Sequence, residues 1–234
     1  MTLEVQDLRA AYGSIEVLHG VSLSVDAARF GVVLGPNGAG KSTLLLALAG
    51  LVRVPAGTVT FEGERLHELP AHARVRHGIG LVSEQLNLFP NMSIRENLLV
   101  GGFHAPRNDL ARRLDTVHEL FPWLAERGTQ AAGTLSGGQR KMLALGRALM
   151  GDPRLLLVDE PSSGLAPTIV TTVFTALREL HRRGLTVLLV EQHVQQSLGL
   201  ADHAWVLEGG VLRLEGTADE LRDNPYGREA YLGV

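Results

Sequence analysis

The residues that decide the fold read Gly35-Pro36-Asn37-Gly38-Ala39-Gly40-Lys41-Ser42-Thr43. This run matches G-x-x-x-x-G-K-[ST], the pattern of loops that hold nucleotide phosphates. Its glycines let backbone N–H groups approach phosphate oxygens without a Cβ in the way, and the helix that follows directs its positive end at the same oxygens. We therefore predict that all nine residues bind a triphosphate. Lys41 would neutralise the β and γ phosphates, and the Ser42 hydroxyl would take one position around Mg²⁺.

The sequence on either side of the loop fits this prediction. Residues 30–34 have the composition of a short buried strand, and residues 41–49 that of the start of a helix. The alternative is a glycine-rich turn without a ligand. The full motif rarely arises by chance, even in a chain with 27 glycines among 234 residues.

The composition limits the class of protein. A chain of 234 residues suffices for one large domain or two closely packed lobes. Its net charge of −3 gives no basic field for nucleic acid, and the absence of cysteine fits a cytosolic address. The first residues lack a signal-peptide pattern, and the longest apolar runs fall far short of the ~20 residues that span a bilayer. We expect a soluble protein that reaches a membrane only through another chain.

Strands that alternate with helices predict an α/β fold with a largely parallel sheet. Between residues 86 and 153 the apolar residues recur at helical spacing, which predicts a helical insertion between core segments of about 1–85 and 154–234. The predicted strands are 3–8, 21–25, 30–34, 57–61, 79–82, 154–158, 186–190 and a hairpin over 205–215. The predicted helices are 41–49, 96–99, 110–121, 136–150, 167–183, one reaching 201 and one near 217–222.

Two carboxylates follow a run of four apolar residues, 155–158. Ligands of an α/β sheet bind at the carboxyl ends of its parallel strands. Asp159 therefore suits coordination of Mg²⁺, and Glu160 suits activation of the attacking water. A solvated acidic turn is the alternative. A further candidate is Tyr12, which is either an ordinary packed aromatic or a ring stacked on the nucleotide base.

A second anion site is predicted at Leu135-Ser136-Gly137-Gly138-Gln139. Ser136 and Gln139 have the spacing of a helix N-terminal capping box. Two glycines in the first helical turn cost roughly 1 kcal/mol each relative to alanine, so a compensating role is expected. Their exposed N–H groups at the positive end of a helix would bind an anion.

Three segments, in this order and spacing, resemble ATP-binding-cassette ATPases. They are the phosphate loop, the Leu135–Gln139 signature and Leu155-Leu156-Leu157-Val158-Asp159-Glu160-Pro161. The resemblance covers essentially the whole chain. Four stretches are similar, more narrowly, to the ATP-binding subunits of branched-chain amino acid importers: 45–52, 69–82, 132–138 and 164–167.

The resemblance implies a P-loop NTPase (RecA-like) core, an N-terminal antiparallel β lobe and an inserted helical subdomain. It implies two ATPase subunits head to tail, with each ATP between one subunit's phosphate loop and the other's signature. Closure of the pair would drive membrane permease subunits, which would hold the ATPase subunits at the inner face of the cell membrane. A solute-binding protein would be an indirect partner. Tyr12 would then stack on the base, and the turn around Phe89 would lie near the groove that receives a permease helix.

Departures from the family pattern bear on the chemistry. Glu84 stands where most cassettes carry a glutamine that contacts Mg²⁺. Gln192 falls where the histidine that senses the γ-phosphate is expected, and His193 lies one residue later. Gln192 and His193 both remain candidates. Glutamine donates a hydrogen bond but carries no charge, so a partner subunit with the usual histidine is expected. Ala166 replaces an acid, and Ala28-Arg29 replaces a Gly-Glu turn.

Two other functions stay open at this point. A cassette ATPase without a transporter would normally carry a long coiled-coil insertion or two tandem cassettes. A small-molecule P-loop kinase would have no use for residues 135–139. Which solute is carried, and whether the dimer pairs like or unlike subunits, does not follow from the sequence.

Overall fold

The computed structural model describes residues 3–224. Residues 1–2 and 225–234, which the predicted domain of 1–234 includes, lie outside this range. Within it the strands are β1 (Leu3–Tyr12), β2 (Ile15–Val25), β3 (Phe30–Leu34), β4 (Arg53–Phe61), β5 (Glu64–Arg65), β6 (Ile79–Val82), β7 (Leu155–Asp159), β8 (Thr186–Glu191), β9 (His203–Glu208) and β10 (Val211–Gly216). The α-helices are α1 (Lys41–Leu48), α2 (Ala71–Arg76), α3 (Ile94–Gly101), α4 (Leu110–Leu120), α5 (Pro122–Glu126), α6 (Gly137–Leu149), α7 (Pro167–Arg182), α8 (Val194–Leu198) and α9 (Ala218–Asp223).

The strands form two sheets within the described residues. The larger has the order β10-β9-β3-β8-β7-β6, and all its neighbouring strands are parallel except β9 and β10. The smaller is antiparallel, with the order β2-β1-β4-β5. Every residue of β3, β7 and β8 is buried, as expected for parallel strands covered on both faces. The predicted α/β fold, with its parallel core and N-terminal antiparallel lobe, is confirmed.

Residues that alternate along the central strands serve two separate cores. On β7, Leu156 and Val158 belong to the cluster that contains the buried side chains of α3, α6 and α7. Leu155 and Leu157 belong to a second cluster, with residues of β1, β2 and α1. Successive side chains of a strand point to opposite faces, so the continuous apolar run of β7 holds both layers on the sheet. Its carboxyl end is thereby fixed beside α1.

Several element boundaries differ from the prediction. The first two strands extend toward each other to Tyr12 and Ile15, because the turn between them places Gly13 at φ 62 and closes a long hairpin. The predicted helix at 110–121 ends at Leu120, and Pro122 starts a separate short helix. The helix predicted to reach 201 ends at Leu198. Helix α2 was missed, since its apolar spacing covers fewer than two turns.

The segment between β6 and β7 contains α3 to α6 and no strand among its described residues. Its predicted division from the core near residues 86 and 153 stays a prediction.

Ala28, which stands where the family usually has glycine, has φ 55. Glycine adopts this left-handed conformation more readily than alanine, which explains why glycine is usual in this turn. Among residues 3–224, no helix is long and apolar enough to cross a bilayer.

Candidate functional site

The phosphate loop connects β3 to α1, and its backbone requires glycine at defined positions. Gly38 and Gly40 have φ values of 79° and 105°, where other residues are strained. A Cβ on Gly35 would overlap the carbonyl oxygen of Leu207, which lies on the neighbouring strand β9. Nothing would lie within 4 Å of a Cβ on Gly38. The loop therefore follows the sheet closely at its start and opens to solvent at its tip.

Lys41 begins α1 and turns its side chain back over this loop. The residue is 4% exposed, and its Nζ donates to the carbonyl oxygens of Gly35 at 2.8 Å and Pro36 at 3.0 Å. The same Nζ lies 3.0 Å from Glu160 Oε1. Burying an ammonium group is costly unless it is paired and hydrogen-bonded, and these contacts meet that requirement. A positive charge is thus held at the mouth of the loop.

Ser42 and Asp159 meet beside that charge. Ser42 Oγ donates to Asp159 Oδ1 at 3.0 Å, and Asp159 is 4% exposed. Burial raises the pKa of the Asp159 carboxyl to about 6; the charges of Glu160 and Glu84 act in the same direction, and the hydrogen bond from Ser42 opposes them. Hydroxyl and carboxylate oxygens are ligands that Mg²⁺ prefers, and it is usually held by one or two carboxylates with substrate phosphates. The residues present fit that ion.

Glu160 follows Asp159, and its backbone leaves the strand conformation for a left-handed one, with φ 42. Its backbone N–H donates to the Val190 carbonyl at 3.0 Å, which ties it to the end of β8. Its carboxylate lies 3.0 Å from Lys41 Nζ and 3.4 Å from Gln192 Nε2. A carboxylate at this position, 12% exposed, can accept a proton from a water bound near the phosphate loop.

Gln192 and His193 are the two candidates for the switch residue, the one that senses the γ-phosphate, and they differ in their surroundings. Gln192 Nε2 contacts Asn37 Oδ1 of the phosphate loop as well as Glu160. His193 is exposed at the start of α8, and its backbone contacts Glu191 Oε2 and Ser197 Oγ. The structure therefore brings Gln192, rather than His193, against the phosphate loop. Their roles stay predictions.

Two other predicted site residues are less enclosed. Tyr12 is 49% exposed at the end of β1. Glu84 is exposed after β6, and a hydrogen bond from its backbone lowers the pKa of Asp159. Glu84 is thus near the predicted metal site, whereas base stacking by Tyr12 stays a prediction.

The predicted capping box is present at the start of α6. The Ser136 N–H donates to Gln139 Oε1 at 3.0 Å, and the Gln139 N–H donates to Ser136 Oγ at 3.3 Å. A Cβ on Gly138 would collide with the Ile169 side chain, so close packing against α7 accounts for this glycine. A Cβ on Gly137 would meet only Leu165 Cδ2, at 4.0 Å. Packing therefore explains one of the two glycines and leaves the other at the surface.

Sequence reasoning missed two buried charges at this site, Lys141 and Glu191, which are 9% and 1% exposed. Both make hydrogen bonds to the backbone that follows Asp159. The sequence did contain two signals of buried charge: a lysine among the apolar positions of α6, and a glutamate at the end of a buried strand. Neither identifies its backbone partner, because those contacts join residues 19 to 29 positions apart.

These features define a P-loop nucleotide-binding protein, in which a phosphate loop and an acidic strand end meet at the edge of a parallel sheet. A family model described as ABC transporter matches residues 18–163. The chain belongs to this ATP-binding-cassette family and is an ATPase. The family resemblance inferred from the sequence is confirmed.

Named relatives cover nearly the whole chain. A high-affinity branched-chain amino acid transport ATP-binding protein, BraG of Pseudomonas aeruginosa, is 47% identical over 222 residues, which are 95% of each chain. The lipopolysaccharide export system ATP-binding protein LptB of Escherichia coli is 33% identical, over 99% of this chain and 97% of its own. A crystal structure of the ADP conformation of an ABC transporter's ATP-binding cassette has 29% identity and a TM-score of 0.85, over 100% of this chain and 99% of that one.

Proposed function

We propose that this chain is the ATP-hydrolysing subunit of an importer for branched-chain amino acids or a related small polar solute. The 47% identity to BraG supports that solute class over the lipopolysaccharide export named for the 33% identical LptB. The observation that carries the catalytic part is a pair of contacts at the phosphate loop: Ser42 Oγ lies 3.0 Å from Asp159 Oδ1, and Lys41 Nζ lies 3.0 Å from Glu160 Oε1.

The proposed chemistry assigns one task to each residue. Backbone N–H groups of residues 35–43 and the Lys41 ammonium bind the triphosphate. Ser42, Asp159 and Glu84 would hold Mg²⁺, which when bound supplies positive charge against the phosphates. Glu160 accepts a proton from the attacking water. Gln192 donates a hydrogen bond toward the γ-phosphate, with His193 as the alternative.

We place the nucleotide between two subunits. Ser136 and Gly137 are exposed at the start of α6, where N–H groups at a helix's positive end are suited to a phosphate of a facing subunit. Tyr12, half exposed, is available to the base. ATP binds the closed pair more tightly than the open one, and that differential affinity supplies the work. Because Gln192 carries no charge, we propose pairing with a related ATPase that has the usual histidine.

An apolar groove supports docking to a permease. A cavity of about 320 Å³ is lined by Leu51, Val75 and Val100, which are 59%, 45% and 39% exposed. Arg147 also lines it and donates to the carbonyl oxygens of residues 86 and 87. The groove is thereby connected to the loop that contains Glu84. Docking there would hold the chain at the inner face of the membrane, with a solute-binding protein as an indirect partner.

The function is tested by uptake in proteoliposomes that contain the chain, its permease and its partner ATPase. We expect ATP inside the vesicles to drive uptake of labelled leucine, isoleucine or valine when the cognate solute-binding protein is outside. The Lys41→Ala variant should abolish uptake. Vesicles that hydrolyse ATP but take up none of the three, even at saturating binding protein, would refute branched-chain amino acids as the solute.

A further inference from the structure

We propose that Lys141 and Glu191 act as a buried clamp on residues 160–163 and so position the Glu160 carboxylate for hydrolysis. The inference rests on the proposed role of Glu160. Neither clamp residue is assigned contact with the nucleotide, so both are positioning residues.

Lys141 provides the first half of the clamp from the second turn of α6. Its Nζ donates to the carbonyl oxygen of Glu160 at 2.7 Å and to that of Ser163 at 2.9 Å. These two bonds span the turn that follows β7. A buried ammonium needs such acceptors, because removal from water disfavours its charge. Burial does lower the pKa of Lys141, and the nearby negative charge of Glu191 is the largest influence against that shift.

Glu191 provides the second half from the end of β8. One carboxylate oxygen accepts the Ser162 N–H at 2.9 Å. The other accepts the N–H of Gln192 at 3.0 Å and that of His193 at 3.3 Å. A single buried carboxylate thereby joins the turn after β7 to the segment that carries both switch candidates.

The backbone of Glu160 explains why the turn needs outside support. At φ 42 it is held in a left-handed conformation, which non-glycine residues adopt only when their surroundings impose it. Its N–H is held by Val190 and its carbonyl by Lys141. Removing the Lys141 contacts frees the turn to relax, which moves the carboxylate away from the phosphate loop.

The chain contains two lysines, Lys41 and Lys141, and both contact Glu160. One ammonium lies against the carboxylate and the other against the main-chain carbonyl. Biosynthetic labelling with ¹³Cε-lysine therefore gives two side-chain signals in an NMR spectrum, both of which report on this residue.

The test compares Lys141→Met with Lys141→Arg in the assembled transporter. Methionine keeps the length and apolar stem of lysine but donates no hydrogen bond, whereas arginine keeps charged donors. We expect Lys141→Met to lower kcat for ATP by roughly 10-fold or more while KM changes less than about two-fold, since ATP binding does not use the clamp. Lys141→Arg should recover most of the loss. The control Arg182→Met alters an exposed cation on α7 and should leave kcat unchanged.

A second background separates positioning from general damage. In Glu160→Gln protein the carboxylate is already absent, so adding Lys141→Met should lower the residual rate less than about two-fold. In Glu191→Met protein, which has no side-chain oxygen to accept the Ser162 N–H, amide hydrogen exchange of Ser162 should accelerate and the Lys141 ¹³Cε signal should shift. The exchange and NMR measurements do not depend on ATPase activity. They therefore test the clamp even in a variant that hydrolyses ATP slowly.

The outcomes distinguish the two proposals. If Glu160→Gln hydrolyses normally, the proposed role of Glu160 fails. If Glu160→Gln is slow but folded Lys141→Met keeps its full kcat, or loses as much in the Glu160→Gln background as alone, the clamp is refuted. Unchanged exchange of Ser162 in Glu191→Met would also overturn it.

Discussion

The Ser42 hydroxyl donates to Asp159 Oδ1 across 3.0 Å, although 117 positions separate the two residues in the chain. The contact joins the first turn of α1 to the carboxyl end of β7. Since β8 lies between β3 and β7 in the sheet, the phosphate loop and the acidic strand end reach each other across one intervening strand. Gln192, which follows that intervening strand, lies near both and contacts Asn37 and Glu160.

The first prediction concerns the switch position. Gln192 is the candidate that contacts the phosphate loop, and histidine can carry a charge that glutamine cannot. We therefore expect Gln192→His to raise the ATPase rate of the isolated chain, and His193→Ala to change it less than about two-fold. Steady-state phosphate release measures both. Loss of hydrolysis in His193→Ala, with normal rates in Gln192→Ala, would identify His193 as the switch.

The second prediction concerns coupling to the permease. Phe89 is 46% exposed, and its backbone is held independently of its ring: the N–H donates to Asn97 Oδ1 at 2.9 Å, and the carbonyl accepts from Asn97 Nδ2 at 3.0 Å. Phe89→Glu should thus leave the fold and the basal ATPase rate intact while uptake in proteoliposomes falls at least about 10-fold. A folded Phe89→Glu variant that transports at the normal rate would remove this turn from the docking surface.

The third prediction concerns the stability of the helix that carries the phosphate-binding residues. Arg74 is 4% exposed, and its Nη1 donates to the carbonyls of Ala47 at 2.7 Å and Leu48 at 2.8 Å, at the end of α1. Arg74→Met leaves those carbonyls without this donor, at a cost of about 2–4 kcal/mol in the free energy of unfolding. Urea unfolding measures the difference, with the exposed Arg76→Met as control. Equal stability of the two variants would show that Arg74 does not support α1.

Motifs made the fold and family predictable, because each is a short run whose chemistry depends on adjacent residues. The loop around Lys41 and the capping box at Ser136 are of this kind. The contacts of Arg74, Lys141 and Glu191 are not. Each is a charged side chain buried against the backbone of a distant segment, so its partner appears only once the sheet order has brought the segments together.

Helix α2 and the full lengths of β1 and β2 were also outside the reach of sequence patterns. A helix of six residues has too few apolar positions to show a period, and tertiary contact decides whether it forms. The hairpin that lengthens β1 depends on the φ of Gly13, which the residue type permits but does not impose.

We propose that Glu160 activates water for hydrolysis at a nucleotide held between two subunits. Single-turnover hydrolysis by Glu160→Gln tests it most directly, with ATP affinity measured on the same protein. We expect hydrolysis to slow by roughly 10²-fold or more at unchanged affinity, because amide nitrogen and oxygen are poor proton acceptors. An ATP-dependent dimer should accumulate in sedimentation velocity. Hydrolysis near the wild-type rate would show that the Glu160 carboxylate does not activate the water.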